Sequence, residues 1–417
     1  MTQASKLLIT GAAVALMCGA ASTTTRAADL GKGGANDLED RVAELEATAA
    51  RKGNRAVTLQ VSGQVNRALL IWDDGTDSDA YVVDPDSDGS RFRFTGEAKI
   101  KPGWSAGYIM EMNVVDSASN RVSQLDDEGL NESNGFSIRQ NAFYIESEQL
   151  GRVTLGQASQ PTDGINEIDI VATYATVSKT HYAGNFLVRT HDGDLTAGDA
   201  NGVRWQDVLG AIGGTQEDII RYDSPSIYGF IVSASWGDND IWDASLRFAK
   251  EWNSIKLAAG IGYLKDNRDE AGFNIDSQLS GSASAIHVPS GLFATVAAGR
   301  RTFDDDSPDA TNWYVKGGIS KNWTGYGATT LFADYAHFND FGVGARRDID
   351  GSGIGSLDTI TGSESNVFGF GIVQGFDSAA LNIYAVAQFY DTDIEANIGD
   401  VNSDDHFALI LGSHIKF

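Results

Sequence analysis

Arg91-Phe-Arg-Phe-Thr-Gly-Glu-Ala-Lys-Ile-Lys-Pro-Gly-Trp-Ser-Ala-Gly-Tyr-Ile-Met-Glu-Met-Asn113 reads as two strands and a turn. Phe92, Phe94, Ala98 and Ile100 alternate with Arg91, Arg93, Thr95, Glu97 and Lys99. After Lys101-Pro102-Gly103, Trp104, Ala106, Tyr108, Met110 and Met112 alternate with Ser105, Gly107, Glu111 and Asn113. Successive side chains of a strand point to opposite faces, so this hairpin has one apolar and one polar face.

The same period extends in both directions. Upstream, Val57, Leu59, Val61 and Val65 alternate with Thr58, Gln60, Ser62, Gln64 and Asn66. Downstream, strands fall near 136–147, 152–159, 217–224, 229–237, 241–252, 254–266, 278–287, 292–303, 311–323, 327–339, 364–374, 379–391 and 405–417. The total is about sixteen. Many links on one side are very short, as at Glu251-Trp252-Asn253-Ser254 and Trp323-Thr324-Gly325-Tyr326. Those on the other side, 73–89, 115–135, 266–277, 340–363 and 392–404, are long and rich in Asp, Gly, Ser and Asn. Short turns alternating with long loops are the asymmetry of outer-membrane barrels, with turns in the periplasm and loops outside.

Unpaired backbone groups are excluded from lipid, so such a sheet must close. An even number of strands near sixteen leaves a lumen too wide for side chains to fill, hence an aqueous one. Trp72, Trp104, Trp236, Trp242, Trp252, Trp313 and Trp323 fall near strand ends, where an interfacial girdle would sit. The last strand puts Phe407, Leu409, Leu411, Ile415 and the terminal Phe417 on one face, with Ala408, Gly412, His414 and Lys416 on the other. The fold expected is an all-β transmembrane antiparallel barrel.

Composition agrees with this and excludes other classes. The 417 residues carry a formal net charge of -26, which argues against nucleic acid as a partner, since phosphates require clustered Lys and Arg. Beyond the N-terminus no apolar run approaches the roughly 18 residues of a transmembrane helix. Residues 1–27 read as a signal peptide: Lys6, the apolar Leu7 to Ala21, and Thr25-Arg26-Ala27 as the cleavage site. Cleavage removes Lys6 and Arg26 and no acid, taking the charge from -26 to -28. The one cysteine, Cys18, lies in that segment, preceded by Ala15 and Met17 at positions where a lipoprotein signal needs Leu and a small residue. The mature chain therefore relies on no disulfide. Residues 28–55 form a lead in which Leu38, Val42, Leu45 and Ala49 have heptad spacing over 37–52. Two heptads are too short to stand alone, so the segment is either a coil supported by an oligomer or a short helix on the periplasmic mouth. The barrel occupies 56–417.

With these features the chain resembles the general bacterial porins, closest to those of alphaproteobacteria. The resemblance covers about Val57 to Phe417. It rests on the order and spacing of Val57-Thr-Leu-Gln-Val-Ser-Gly-Gln-Val, Arg139-Gln-Asn-Ala-Phe-Tyr-Ile, Gly151-Arg-Val-Thr-Leu-Gly-Gln and the C-terminal Phe. It implies a homotrimer of sixteen-stranded barrels in the bacterial outer membrane, each a water-filled channel for passive diffusion of small hydrophilic solutes and ions. It also implies a third loop folded inward, with carboxylates facing arginines on the wall. That loop begins after the strand ending near Gln157 and lies within 160–216. Asp163, Glu167 and Asp169 are its acidic candidates. Arg91 and Arg93, on the polar face of their strand, are the best basic candidates, and Arg221 joins them. Arg139 reads both ways: Phe136, Ile138, Ala142 and Tyr144 put it inside, Phe143 and Ile145 outside. Opposed charges across an opening set ion preference and favour solutes that align a dipole. The net charge points to cations. The loop departs from a compact constriction, since about 55 residues separate Gln160 from the next strand, including Tyr174, His181, Phe186 and Trp205.

Other chemistry finds little support. Asp84-Pro-Asp86-Ser-Asp88-Gly89 resembles the start of a calcium loop, but its twelfth position is Thr95 and not a bidentate Glu; Asp348-Ile-Asp350-Gly351 is weaker. His181, His191, His287, His337, His406 and His414 lack ligand spacing. No nucleophile elbow or phosphate loop occurs. The reading is therefore no enzyme, no cofactor and no structural metal. Two alternatives remain open: a substrate-selective channel for a sugar or organic acid, using Trp205, Tyr174 and Phe186, and a barrel adhesin with a plugged lumen.

Overall fold

The computed structural model describes residues 57–129, 135–171, 173–177, 183–190, 202–267, 275–347, 349 and 357–417. The signal peptide and the 37–52 helix expected from the sequence lie outside them. The described strands are β1 (Gln60–Asp73), β2 (Ser78–Val83), β3 (Arg91–Lys101), β4 (Trp104–Val115), β5 (Gly135–Ser147) and β6 (Gly151–Ser159). After a long excursion come β7 (Gln216–Asp223), β8 (Phe230–Gly237), β9 (Trp242–Trp252), β10 (Ile255–Lys265), β11 (Ile275–His287), β12 (Leu292–Phe303) and β13 (Ala310–Lys321). The chain ends with β14 (Thr329–Asn339), β15 (Arg346–Arg347), β16 (Asp358–Phe376), β17 (Leu381–Ala396), β18 (Gly399–Asn402) and β19 (His406–Lys416).

Sixteen of these are staves of one closed antiparallel barrel. The exceptions are β2, β15 and β18, short strands that extend the wall at the long-loop end. Closure joins the ends of the chain: β1 pairs with β19, setting Ala68 opposite Gly412 and Leu69 opposite Leu411. Turns at one end are tight. Gly103 (φ 74°) turns β3 into β4, and Asn253 (φ 46°) and Ser254 (φ 71°) form the two-residue link of β9 to β10, in the left-handed geometry that matches strand twist.

Two expectations about loops need correction. Segment 392–404 is largely strand and the end of 340–363 belongs to β16, because β16 and β17 run past the membrane as a long hairpin from Ile360↔Ala396 to Phe376↔Leu381. The 73–89 link folds back as β2 onto β1, from Asp73↔Ser78 to Ala68↔Val83, so β1 meets β3 only over Gln60–Gln64. These extensions lie outside lipid, where both faces can be polar, and so lack apolar alternation.

The outer surface explains the alternation. Val153, Leu155, Val232, Leu246, Ile261, Val296, Leu331, Phe370 and Leu411 are among many exposed apolar side chains that recur at every second position. No water-soluble surface tolerates so continuous an apolar band. Aromatic side chains mark its edges: Trp236, Trp242 beside Tyr263, and Trp313 beside Tyr335 at the long-loop end, Trp252, Trp323 and Tyr326 at the turn end. Trp72 is not one of them. It is buried inside the barrel against Phe186 and Tyr81, because it shares the inward parity of Ala68 and Leu70. No helix among the described residues is long and apolar enough to cross a membrane.

Candidate functional site

The connection between β6 and β7 enters the barrel and follows its inner wall. Thr162 donates from its main-chain N and its Oγ1 to Asp243 Oδ2 (both 2.7 Å). Ile165 and Ile168 then lie on a wall made of Gly260 and Gly262. A Cβ at Gly260 would sit 2.7 Å from Ile168 Cδ1 and 2.9 Å from Ile165 Cδ1, so a larger residue there would have to displace both isoleucine side chains. Ser282 holds the same turn through the Ile168 N–H (3.0 Å). Further on, Lys316 donates to Asp169 Oδ2 (2.6 Å), Thr173 Oγ1 (2.5 Å) and the Ala175 carbonyl (2.8 Å). Its side chain is 0% exposed. Tyr174, at φ 59°, stacks on Tyr384 (centroids 4.1 Å apart). Its hydroxyl is 2.8 Å from His414 Nδ1 and accepts from Asn382 Nδ2 (2.9 Å).

Beyond this point the loop contributes apolar side chains to a core within the lumen. Phe186 packs on Trp72, Tyr81 and His406, and Trp205 on Tyr390 and His406. Arg189 joins Asp74 (2.8 Å) and so ties this segment to the first external loop. The return passes Asn312, which donates to the Gly210 carbonyl (3.3 Å), and Gln278, whose Oε1 accepts from Gly213 N (3.1 Å). This core occupies the side of the lumen against β12, β13, β14, β16, β17, β19 and β1. Tyr174, Phe186 and Trp205 are all buried in it. The inner wall from β3 to β9 carries several charged side chains among small apolar and hydroxyl ones.

There Glu111 on β4 is the centre. Its side chain is 0% exposed and three guanidinium groups converge on it. Arg93 pairs with Oε2, Arg139 Nε lies 2.9 Å from Oε1, and Arg91 Nη1 lies 3.9 Å from Oε1 while also pairing with Asp88. Arg139 reaches it through a register shift in the β4–β5 pairing: Glu111 faces Gln140 and Met112 faces Ile138, so Arg139 is the extra residue of a bulge. The bulge reverses the parity of β5. Phe136 and Ile138 are exposed before it, Phe143 and Ile145 after it, which is why the sequence put Arg139 on both faces. Arg221 binds both oxygens of Asp223 through Nε (3.0 Å each) and the Ser159 carbonyl through Nη1 (2.7 Å).

The loop carboxylates divide. Asp163 faces this half of the lumen: Arg247 Nη2 donates to its carbonyl (2.8 Å) and Gln216 Nε2 to its Oδ2 (2.6 Å). Burial pushes the Asp163 carboxyl above the usual range and Glu167 adds to this. Hydrogen bonds from Ser159 and Gln216 and the charge of Arg139 oppose them. Asp169 is directed elsewhere, to Lys316 and Thr295 Oγ1 (3.1 Å), not to the arginines. Glu111, Arg247, Asp223, Asp243 and Lys316 were missed by sequence reasoning. Each sits on the polar parity of its strand, which was the available signal, but nothing local separates them from other lumen residues. The acidic motif at 84–88 is used within the protein: Asp84 accepts from Asp116 N (2.8 Å) and pairs with Arg67 (2.5 Å), and Asp88 pairs with Arg91. Among the described residues no group of His, Cys, Asp or Glu is set to hold a metal.

A closed sixteen-stranded barrel with an apolar exterior, a charged lumen and an inward loop defines a channel-forming protein of the outer membrane. A family model described as Gram-negative porin matches residues 11–397, and the chain belongs to that family. It is an outer-membrane channel for passive diffusion. No curated protein sequence matches it. Among solved structures it is similar to the anion-selective porin from Comamonas acidovorans, with 15% identity, 87% of this chain and 100% of that chain covered, and a TM-score of 0.56. It is also similar to OmpT of Vibrio cholerae in trimer form (14% identity, 87% and 100% covered, TM-score 0.52). A third is Salmonella typhi OmpF in complex with daunomycin (11%, 87% and 98%, 0.51).

Proposed function

We propose that solutes cross this barrel through the charged part of the lumen, past an eyelet formed by Asp163 and Glu167 on the loop and by Arg91, Arg93, Arg139 and Arg221 on the wall. The observation that carries this is the division of the lumen: an apolar core on one side, partly exposed guanidinium groups on the other. Asp169 has a different part in this reading. Bound to Lys316, it anchors the loop that forms the eyelet. Small hydrophilic solutes and ions pass by diffusion, without enzymatic chemistry.

A general channel is favoured over one dedicated to a sugar or organic acid, because Tyr174, Phe186 and Trp205 are buried against the wall and do not form an open aromatic slide. We further infer a homotrimer. Phe92, Phe94 and Phe136 cluster on the outer wall on one side of the β1–β19 seam, and Phe368, Phe370, Phe389 and Phe407 on the other. Both groups suit burial against other copies. Liposome swelling tests passage: no uptake of small sugars by vesicles containing the protein refutes the channel. Reversal potentials in a salt gradient test the eyelet, which is refuted if Asp163→Asn and Glu167→Gln both leave selectivity unchanged.

A further inference from the structure

Arg301 points into the lumen from β12, two residues before the strand ends at Phe303 on the long-loop side. Its inward parity follows Thr295 and Ala297, which are buried, whereas its neighbour Arg300 points outward and pairs with Asp309. Among the described residues no carboxylate pairs with Arg301. It donates from Nη2 to the Ala211 carbonyl (2.6 Å) and more weakly to Gln278 Oε1 (3.5 Å), both uncharged acceptors. Nε is buried and makes no hydrogen bond. One face is covered by Phe341, whose ring centre lies 5.4 Å from the guanidinium carbon. The nearby acidic residue Asp276 is held by Lys265.

Every other lumen arginine discussed above has a carboxylate or lies among several. A guanidinium in a partly desolvated wall with neutral partners keeps an uncompensated positive charge and unused planar donors. Such a group attracts mobile anions and matches the geometry of an oxyanion. We propose that Arg301 is an anion-docking residue at the external mouth, where it takes the oxyanion group of a small solute before the solute reaches the eyelet. This rests on the channel reading and adds a binding step to it.

The test uses the full protein in planar bilayers, with inorganic phosphate as the probe. Phosphate added on the loop side should interrupt the wild-type current in a concentration-dependent way. Arg301→Gln should weaken this block by about tenfold, the loss of one charge-assisted contact, and shift the potassium chloride reversal potential toward cations. Arg301→Lys, which keeps the charge, should retain most of the block. Removing an unpaired charge breaks no ion pair, so Arg301→Gln should fold. An unaltered block and reversal potential in Arg301→Gln overturn the proposal, as does a wild-type current indifferent to phosphate. A wild-type protein that conducts nothing refutes the channel itself, a result distinct from either.

Discussion

Replacing Lys316 with methionine tests how the inward loop is held. The ammonium group serves three loop acceptors: Asp169 Oδ2, Thr173 Oγ1 and the Ala175 carbonyl. With the lysine at 0% exposure and Asp169 at 9%, this is a buried ion pair. Removing one partner of such a pair costs about 3–5 kcal/mol, because the other charge stays buried without compensation. The lower figure applies here, since Asp169 keeps hydrogen bonds from Thr295 Oγ1 (3.1 Å), Thr173 Oγ1 (3.2 Å) and Val171 N (3.2 Å). A loss of about 3 kcal/mol raises the population of the detached loop roughly a hundredfold. Single-channel recording should therefore show frequent steps to a second conductance level in Lys316→Met, against a steady wild-type trace. Adding Asp169→Asn should restore much of the steadiness, because the double variant leaves no buried charge unpaired. A quiet trace in Lys316→Met, with the barrel intact by its resistance to heat in detergent, refutes the claim that this pair holds the loop.

Glu111→Gln should lower the urea-unfolding free energy in lipid vesicles by about 3–5 kcal/mol, since three guanidinium groups lose their shared carboxylate; a change under about 1 kcal/mol would refute that shared role. For Asp163 the folded carboxyl titrates above 3.8, raised chiefly by burial, so its protonated form is favoured by folding and that contribution fades as pH rises through the raised value. Lowering pH through that raised value should thus remove the Asp163 charge and shift the reversal potential toward anions in the wild type but not in Asp163→Asn. Asp74 behaves oppositely. Burial raises its carboxyl, but Arg189 and hydrogen bonds from Asp77, Gln124 and Thr76 outweigh this and set it below 3.8. Its contribution is present above 3.8 and lost as pH falls through the lower value, so proteolysis of the external loops should accelerate there, and Asp74→Asn should show the faster cleavage at neutral pH.

The staves were legible in the sequence because lipid imposes the strictest rule in the molecule. One face of each strand must be apolar along its membrane-spanning length, and the other meets a polar lumen. Where lipid ends, the rule ends, so β2, β15, β18 and the outer parts of β16 and β17 were not distinguishable from loop. Trp72 shows a second limit. Its place near a strand end suggested the girdle, but an inward aromatic is equally acceptable once a loop arrives to cover it, and the arrival of Phe186 is a contact across 114 residues (186 less 72) that no local pattern encodes. Segment 160–216 is the extreme case. Its apolar residues follow neither the period of a strand nor that of a helix because they are matched to the inner wall: Ile165 and Ile168 to glycines of β10, Tyr174 to Tyr384, Trp205 to Tyr390.

Arg139 joins the legible and illegible parts. Two apolar pairs of opposite parity, Phe136 with Ile138 and Phe143 with Ile145, cannot both face lipid on a regular strand. Both are exposed in this one. The only inexpensive resolution is an extra residue between them, and the β4–β5 pairing contains that bulge at Arg139. The conflict in the pattern was therefore itself information: it marked where the strand departs from regularity and which side chain the departure aims. A third arginine is thereby brought to Glu111, beside two that regular alternation places there without help. Filling this bulge with an uncharged residue, which cannot form an ion pair with Glu111, should leave the outer surface unchanged and alter only the lumen. Arg139→Gln is thus expected to keep heat resistance and shift selectivity toward cations, and loss of the barrel instead would show that the bulge depends on the charge it carries.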